Sequence, residues 1–301
     1  MIKFTKMVAT GNDFIVVDNR RKIVRNRKDF AKKYCSLHYG IGADGVIFIE
    51  KTIDYRLLAS LAARRSGSTI DVDFIMRIFN PDGSEAEMCG NGARCAAVFA
   101  YHKKIVRSRQ IYFQTLSGPI KAFVKVSGAR IGMGQPSGIE LRKSIVVNNK
   151  IMAVSYINTG VPHTVLIRRD IDSLNIQELA PPIRYNRSFP KGTNVDFVRA
   201  VSRHRIKMRT YERGIEGETL ACGTGAVAAA TISSLLGYTK PPVEVMTCGG
   251  ILKIHFERTT HPPKWARPRP RGAGNAQRTT VYGVQKITLE GEVRIVYEGE
   301  I

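Results

Sequence analysis

The sequence lacks the frameworks that small proteins most often build on. It has five cysteines, Cys35, Cys89, Cys95, Cys222 and Cys248, an odd number in 301 residues, which is not a disulfide framework. There is no C-x-x-C pair and no His-Glu-x-x-His element, so no metal site of familiar spacing is expected. Long apolar runs are missing too. The opening Met1-Ile2-Lys3-Phe4-Thr5-Lys6 has no signal-like apolar core. The least polar stretch, Ala221 to Gly237, is broken by Gly, Ser and Thr and is too short for a bilayer. A cytoplasmic protein with no membrane partner is expected. Acids are scarce: 25 Asp and Glu face 47 Lys and Arg, a formal net charge of +22.

That charge is clustered. One group is Arg20, Arg21, Lys22, Arg25, Arg27 and Lys28, and another is Lys103, Lys104, Arg107 and Arg109. From Arg258 to Lys286 there is no acid, and the stretch is rich in Pro and Gly, which reads as an exposed, poorly ordered basic insertion. Such a surface attracts polyanions without specificity. The interleaved basic and aromatic pattern of folded RNA readers is not present. With 43% hydrophobic and 24% charged residues the chain is globular, and its length suits two domains.

Comparing the two halves reveals a repeat. Cys89-Gly90-Asn91-Gly92-Ala93-Arg94-Cys95-Ala96-Ala97 matches Cys222-Gly223-Thr224-Gly225-Ala226-Val227-Ala228-Ala229-Ala230. Upstream, Ile75-Met76-Arg77 matches Lys207-Met208-Arg209, and Thr10-Gly11 opens a segment resembling that at Thr159-Gly160. Three landmarks in one order indicate a duplicated domain. In each half, strands such as 72–80 and 194–201 precede a turn, at Asn80-Pro81-Asp82-Gly83 or Glu212-Arg213-Gly214. A helix follows the cysteine, over about 92–102 and 225–236, the second closed by Gly237. Both helices are apolar almost all round and rich in alanine, which predicts burial at the centre of surrounding strands. The fold class is therefore α+β, not a βαβ series.

Two cysteines at two helix starts suggest chemistry. A buried helix start needs acceptors for its free N–H groups, and Asn91 and Thr224 are the expected N-caps. The remaining N–H groups and the helix dipole favour a carboxylate guest, with the glycines allowing close approach. The same field is expected to lower a cysteine pKa from about 8.5 toward neutrality. With one cysteine from each half on either side of a substrate, one thiolate removes an α-proton and the opposite thiol delivers another. The helix starts stabilise the charge that develops. Gly223-Thr224-Gly225-Ala226-Val227-Ala228 also fits the dinucleotide pattern, but Glu216-Gly217-Glu218-Thr219 stands where its apolar strand belongs. Cys35, Cys95 and Cys248 have no counterpart in the other half and read as packing residues.

Several further segments carry a family resemblance: Gly11-Asn12-Asp13-Phe14, Gly40-Ile41-Gly42-Ala43-Asp44-Gly45, Asn80-Pro81-Asp82-Gly83-Ser84, Met88-Cys89-Gly90-Asn91-Gly92, Tyr211-Glu212-Arg213-Gly214 and Ala221-Cys222-Gly223-Thr224-Gly225. In these the sequence resembles the diaminopimelate epimerase family, over Met1 to about Phe256 and again over 287–301. The resemblance implies two pseudo-symmetric domains, 1–132 with 287–301 and 133–286, each a barrel-like set of strands around a central helix. It implies interconversion of LL- and meso-diaminopimelate in lysine biosynthesis, without pyridoxal phosphate or metal. By position, Cys89 and Cys222 are the base and acid pair, and His163 and Glu212 support their ionisation. Gly90, Asn91, Gly223 and Thr224 hold the reacting carboxylate. Asn12, Asn80, Asn194, Glu212 and Arg213 read the amino groups and distal carboxylate; the planar fork of Arg213 suits that task.

There are departures. Val161-Pro162-His163 stands where many members carry Asn-Pro-His, Gly45 replaces a glutamine of some members, and 52–69, with Arg56, Arg64 and Arg65, reads as an enlarged hairpin. The basic insertion is not a family feature. The expected partners are a small amino-acid substrate, polyanions held non-specifically, and, as an open assembly, a second copy in a homodimer. Two other readings stand beside this one: a proline or hydroxyproline racemase, which also uses paired cysteines, and a basic nucleic-acid-associated protein on the same scaffold.

Overall fold

The structure is a computed structural model and describes residues 1–52, 71–259 and 283–301. Most of the expected hairpin at 52–69, with its three arginines, and most of the expected insertion at 258–286 lie outside these residues. The chain divides into two compact units: Met1–Gly132 with Thr247–Leu252 and Leu289–Ile301, and Met133–Met246 with Lys253–Thr288.

In the first unit β1 (Lys3–Ala9) runs antiparallel to β2 (Asn12–Asp18), which lies parallel to β3 (Gly45–Glu50). A short helix α1 (Arg27–Tyr34) joins β2 to β3, capped by Asn26. Strand β4 (Phe74–Phe79) is antiparallel to β3 and to β5 (Glu85–Ala86), and parallel to β6 (Gln110–Thr115). Helix α2 (Gly90–His102) connects β5 to β6. Strands β7 (Gly118–Lys125) and β8 (Gly128–Gly132) continue antiparallel from β6. The last strand, β18 (Arg294–Glu300), pairs with β1.

The second unit repeats this order. Strand β9 (Ser137–Val147) pairs with β10 (Lys150–Asn158), as β18 does with β1. Then β10 is antiparallel to β11 (Pro162–Ile167), and β11 is parallel to β12 (Asn194–Ser202). Strand β13 (Arg205–Glu212) is antiparallel to β12 and β14 (Gly217–Thr219), and parallel to β15 (Val243–Thr247). Short helices α3 (Ile176–Leu179) and α4 (Pro181–Arg184) lie between β11 and β12, and α5 (Gly223–Leu235) lies between β14 and β15. Each pairing direction matches its counterpart in the first unit. The repeat seen in the sequence is a repeat of topology.

Strands β16 (Gly250–Thr259) and β17 (Gly283–Glu292) extend into the expected insertion from both sides. Arg258, Thr259 and Gly283–Lys286 are thus strand residues, contrary to the loop expected there. Val284 explains part of this, since it is buried.

The two long helices are the cores of their units. Ten successive residues of α2, Asn91–Ala100, and ten of α5, Gly225–Ser234, are buried. Alanine suits this place: it has the best helix propensity and lets strands approach the helix on every side. Helix α5 ends in a Schellman motif. Gly237 takes φ +85, its N–H donates to Ser234, and the N–H of Tyr238 donates to Ser233. No helix among the described residues is long and apolar enough to cross a membrane.

Candidate active site

Both central helices begin two residues earlier than expected, and this changes the roles at their starts. The N-caps are the cysteines. Cys89 (φ −139, ψ 122) and Cys222 (φ −119, ψ 115) are extended, with Gly90 and Gly223 as the first helical residues. The Cys89 sulfur accepts the Gly92 N–H at 3.5 Å. Asn91 and Thr224, expected as caps, sit inside the first turn instead. The reason is the glycine on each side: it lets the chain enter helical geometry directly after cysteine, and leaves Asn91 and Thr224 free for side-chain bonds. Among the described residues no acceptor faces the N–H groups of Gly90, Asn91, Gly223 and Thr224.

Around Cys222 a buried polar chain is built on β11, β12 and β13. His163 and Asp196, neither exposed to solvent, are bonded at 2.8 Å through Nδ1. A carboxylate accepts, so Nδ1 carries the proton. The other ring nitrogen, Nε2, lies 3.0 Å from the Thr224 hydroxyl, which in turn lies 3.4 Å from the Cys222 sulfur. Thr210 donates to the second Asp196 oxygen at 2.8 Å. Asn194 donates to the Pro162 carbonyl at 3.0 Å and accepts the Arg213 N–H at 2.7 Å. The Glu212 carboxyl accepts from Thr219 at 2.5 Å and is hydrogen-bonded to Cys222. Burial raises the Glu212 pKa, offset in part by Thr219 and Cys222. The Arg213 guanidinium donates to the Lys191 carbonyl at 2.9 Å.

The expected lowering of a thiol pKa does not hold at Cys222. Burial pushes this thiol well above its usual value, and the nearby Glu212 and Asp196 carboxylates push it further. The Thr224 hydroxyl and the Gly225 N–H offset only part of this. A helix start contributes at most about 2 kcal/mol in a partly buried setting. Removing a thiolate from water outweighs that.

The first unit places its expected residues on β2 and α2. Asn91, buried, donates to Asn12 at 2.6 Å, and Asn12 donates to Asp44 at 2.9 Å. Asn80 is not drawn into this group. It is exposed, and its amide donates to the Ser84 hydroxyl at 2.9 Å within its own turn. Gly45 is required by packing, since a Cβ there would lie 2.9 Å from the Phe79 carbonyl; a glutamine does not fit this backbone.

Three residues here were not singled out from the sequence. Asp196 is a lone acid in the apolar run Val195–Val198, and Arg94 is a lone cation in an apolar helix; both are signals that could have been read. Asp44 offers none beyond its place in a resembling segment. Of the cysteines read as packing residues, Cys35 and Cys95 are buried, with pKa values raised by burial to about 11 and about 12. Cys248 is exposed, because it lies in the turn between β15 and β16.

The geometry can be set beside known proteins. The family model described as diaminopimelate epimerase matches residues 4–139 and 155–266. The chain belongs to the diaminopimelate epimerase family. The diaminopimelate epimerase of Aquifex aeolicus is 42% identical over 268 residues, covering 85% of this chain and 90% of that protein. That of Caldanaerobacter subterraneus is 36% identical, covering 100% of this chain and 99% of the relative. Among solved structures, a phenazine biosynthesis protein of the PhzF family from Bacillus anthracis matches with TM-score 0.65 at 13% identity, covering 100% and 98% of the two chains. A probable proline racemase from Agrobacterium radiobacter matches with TM-score 0.61 at 12% identity, covering 100% and 93%. At such identity these two structures speak for the fold alone. The α+β fold with strands around central helices is that of the diaminopimelate epimerase family and these neighbours.

Proposed function

We propose that this enzyme interconverts LL- and meso-diaminopimelate, a step of lysine biosynthesis, by α-proton transfer between Cys89 and Cys222 without pyridoxal phosphate or metal. The observation that carries the reading is the repeated helix start: a capping cysteine followed by two N–H groups with no acceptor. The substrate carboxylate accepts those N–H groups. As the α-proton leaves, negative charge moves onto that carboxylate, and donors already in place stabilise it without reorganising. One sulfur, as thiolate, takes the proton; the other, as thiol, gives one to the opposite face. The raised Cys222 pKa supports assigning the neutral thiol to Cys222 at pH 7. Glu212, hydrogen-bonded to it, is the group that exchanges its proton, while Asp196 fixes the His163 tautomer. Gly90 supports this reading too. A Cβ there would meet nothing nearer than Ile131 at 3.9 Å, so the missing side chain relieves no clash and leaves room for a guest. Asn12, Asn91, Asn194 and Arg213 are assigned to substrate recognition, with Asn80 entering only by leaving Ser84.

The test is proton NMR of the reduced protein with LL-diaminopimelate, and with L-proline in a parallel tube. The expected result is meso product in the first tube and no change in the second. Conversion of proline alone would move the protein to the racemase reading. Either Cys89→Ala or Cys222→Ala is expected to lower turnover by about 10²–10⁴-fold, as loss of a positioned acid or base does. Near-normal turnover in either variant would contradict the two-cysteine mechanism.

A further inference from the structure

Arg94 is the largest fully buried side chain among the described residues. Its Nη2 donates to Thr10 Oγ1 at 2.6 Å and to Asn91 Oδ1 at 2.8 Å, and its Nη1 donates to the Gly90 carbonyl at 3.3 Å. All of these acceptors are neutral. Nε has no partner, and a Cβ at Gly291 would lie 3.0 Å from it, so this glycine lets β17 close over the guanidinium. Burying a cation without an acid is unfavourable by several kcal/mol. The fold does not require it, because the repeat places Val227 at the equivalent position of α5.

The repeat also shows that the two cysteines stand in fields of opposite sign. Strand register aligns Asp196 with Ile47 and Glu212 with Asn80. Beneath Gly225 a Cβ would meet Asp196 at 2.8 Å and His163 at 3.3 Å; beneath Gly92 it would meet Ile78, Ile47 and Met76. Carboxylates therefore lie beside Cys222, and a guanidinium bonded to the Gly90 carbonyl lies at the helix start that Cys89 opens. The other charges on strands packed against α2 are paired among themselves: Lys3 with Glu300, Lys6 with Asp13, Arg20 with Asp18, Arg27 with Glu50, Arg77 with Glu85, and Lys125 and Arg130 with Glu290. Lys121 on β7 lies over the Tyr112 ring. Glu87, two residues before Cys89, is exposed, the Asp44 carboxylate is joined to Asn91 through the neutral Asn12 amide, and Cys95 on α2 itself stays a neutral buried thiol.

We propose that Arg94 is a positioning residue of the first half-site: it fixes the Asn91 side chain at the helix start and holds Cys89 as the thiolate. The assignment rests on the two-cysteine reading above. It explains how duplicated sites come to hold one thiolate and one thiol, which a two-sided proton transfer needs at rest.

The experiment is iodoacetamide labelling of the full chain across pH 5–11, resolved by site with mass spectrometry, in wild type, Arg94→Gln and Arg94→Lys. In wild type the Cys89 midpoint is expected below that of Cys222. Arg94→Gln is expected to raise the Cys89 midpoint by about one pH unit, slowing its labelling at pH 7 about tenfold, with the Cys222 profile unmoved. Arg94→Lys is expected to restore most of the difference, since it keeps the charge. A wild-type Cys89 midpoint at or above that of Cys222 would overturn the proposal, and this needs no variant to fold. An unmoved midpoint in Arg94→Gln, or an equal shift in Arg94→Lys, would also overturn it. Labelling does not depend on turnover, so lost epimerisation with the expected midpoints would count against the function and not against Arg94.

Discussion

At the residue scale, the contest at Cys222 is between a helix start and burial. The helix start favours the thiolate by about 2 kcal/mol at most, while burial and two neighbouring carboxylates oppose it. The thiol wins. A group whose pKa is raised stays protonated up to that higher pH, so Cys222 labelling is expected to begin only well on the alkaline side. Asp196 is the residue most exposed to a test of stability. Its two oxygens satisfy His163 and Thr210 at 2.8 Å each, all in the interior. Asp196→Ala is expected to lower the unfolding free energy by about 3 kcal/mol, as loss of one partner of a buried pair does. Denaturant melts would read this directly; a loss under about 1 kcal/mol would mean that water replaces the carboxylate. Asp196 and Arg94 escaped the sequence reading because each lies in an apolar pattern that marks burial, and the pattern does not say why one charged residue was kept in it.

At the element scale, the two cysteine-capped helices share a motif but not a floor. Gly90 and Gly225 separate the two uses of glycine in that motif. Ala at position 225 would place its Cβ 2.8 Å from an Asp196 oxygen and 3.2 Å from the Cys222 Cβ. Gly225→Ala is therefore expected to destabilise the protein by about 1–3 kcal/mol, in the range of overpacked cores. Gly90→Ala is expected to leave stability unchanged or slightly raised, because the site is open and alanine is the better helix former. It is expected to raise the substrate KM about tenfold, the size of one lost hydrogen bond. Thermal melts beside steady-state kinetics separate the two cases. The helices themselves were legible in the sequence from their alanine content and all-round apolarity. Their starts were not, because Asn91 and Thr224 are good capping types and cysteine is a rare one. Only the backbone angles at Cys89 and Cys222 show where the cap falls.

At the scale of the whole molecule, the duplicated topology was legible because three landmarks recur in one order, and the strand pairings repeat along with them. The extension of β16 and β17 was not legible, since Pro, Gly and Arg beyond Thr259 outweigh the short apolar signal at Val284. The net charge of +22 belongs to this scale as well. Retention on heparin is expected, with a steep loss as salt rises toward about 0.5 M, while epimerisation changes little. Retention that ignores salt would point to a specific partner instead.

The central claim is that two cysteines, not one, handle the α-proton. The most direct test follows LL-diaminopimelate in D₂O during the first few per cent of conversion and reads deuterium in substrate and product separately. The account predicts deuterium at the inverted centre of the meso product while the remaining LL substrate keeps its protium. Protium returned to the product, or early washout of the unreacted substrate in step with product formation, would mean that a single base serves both faces and would contradict the account.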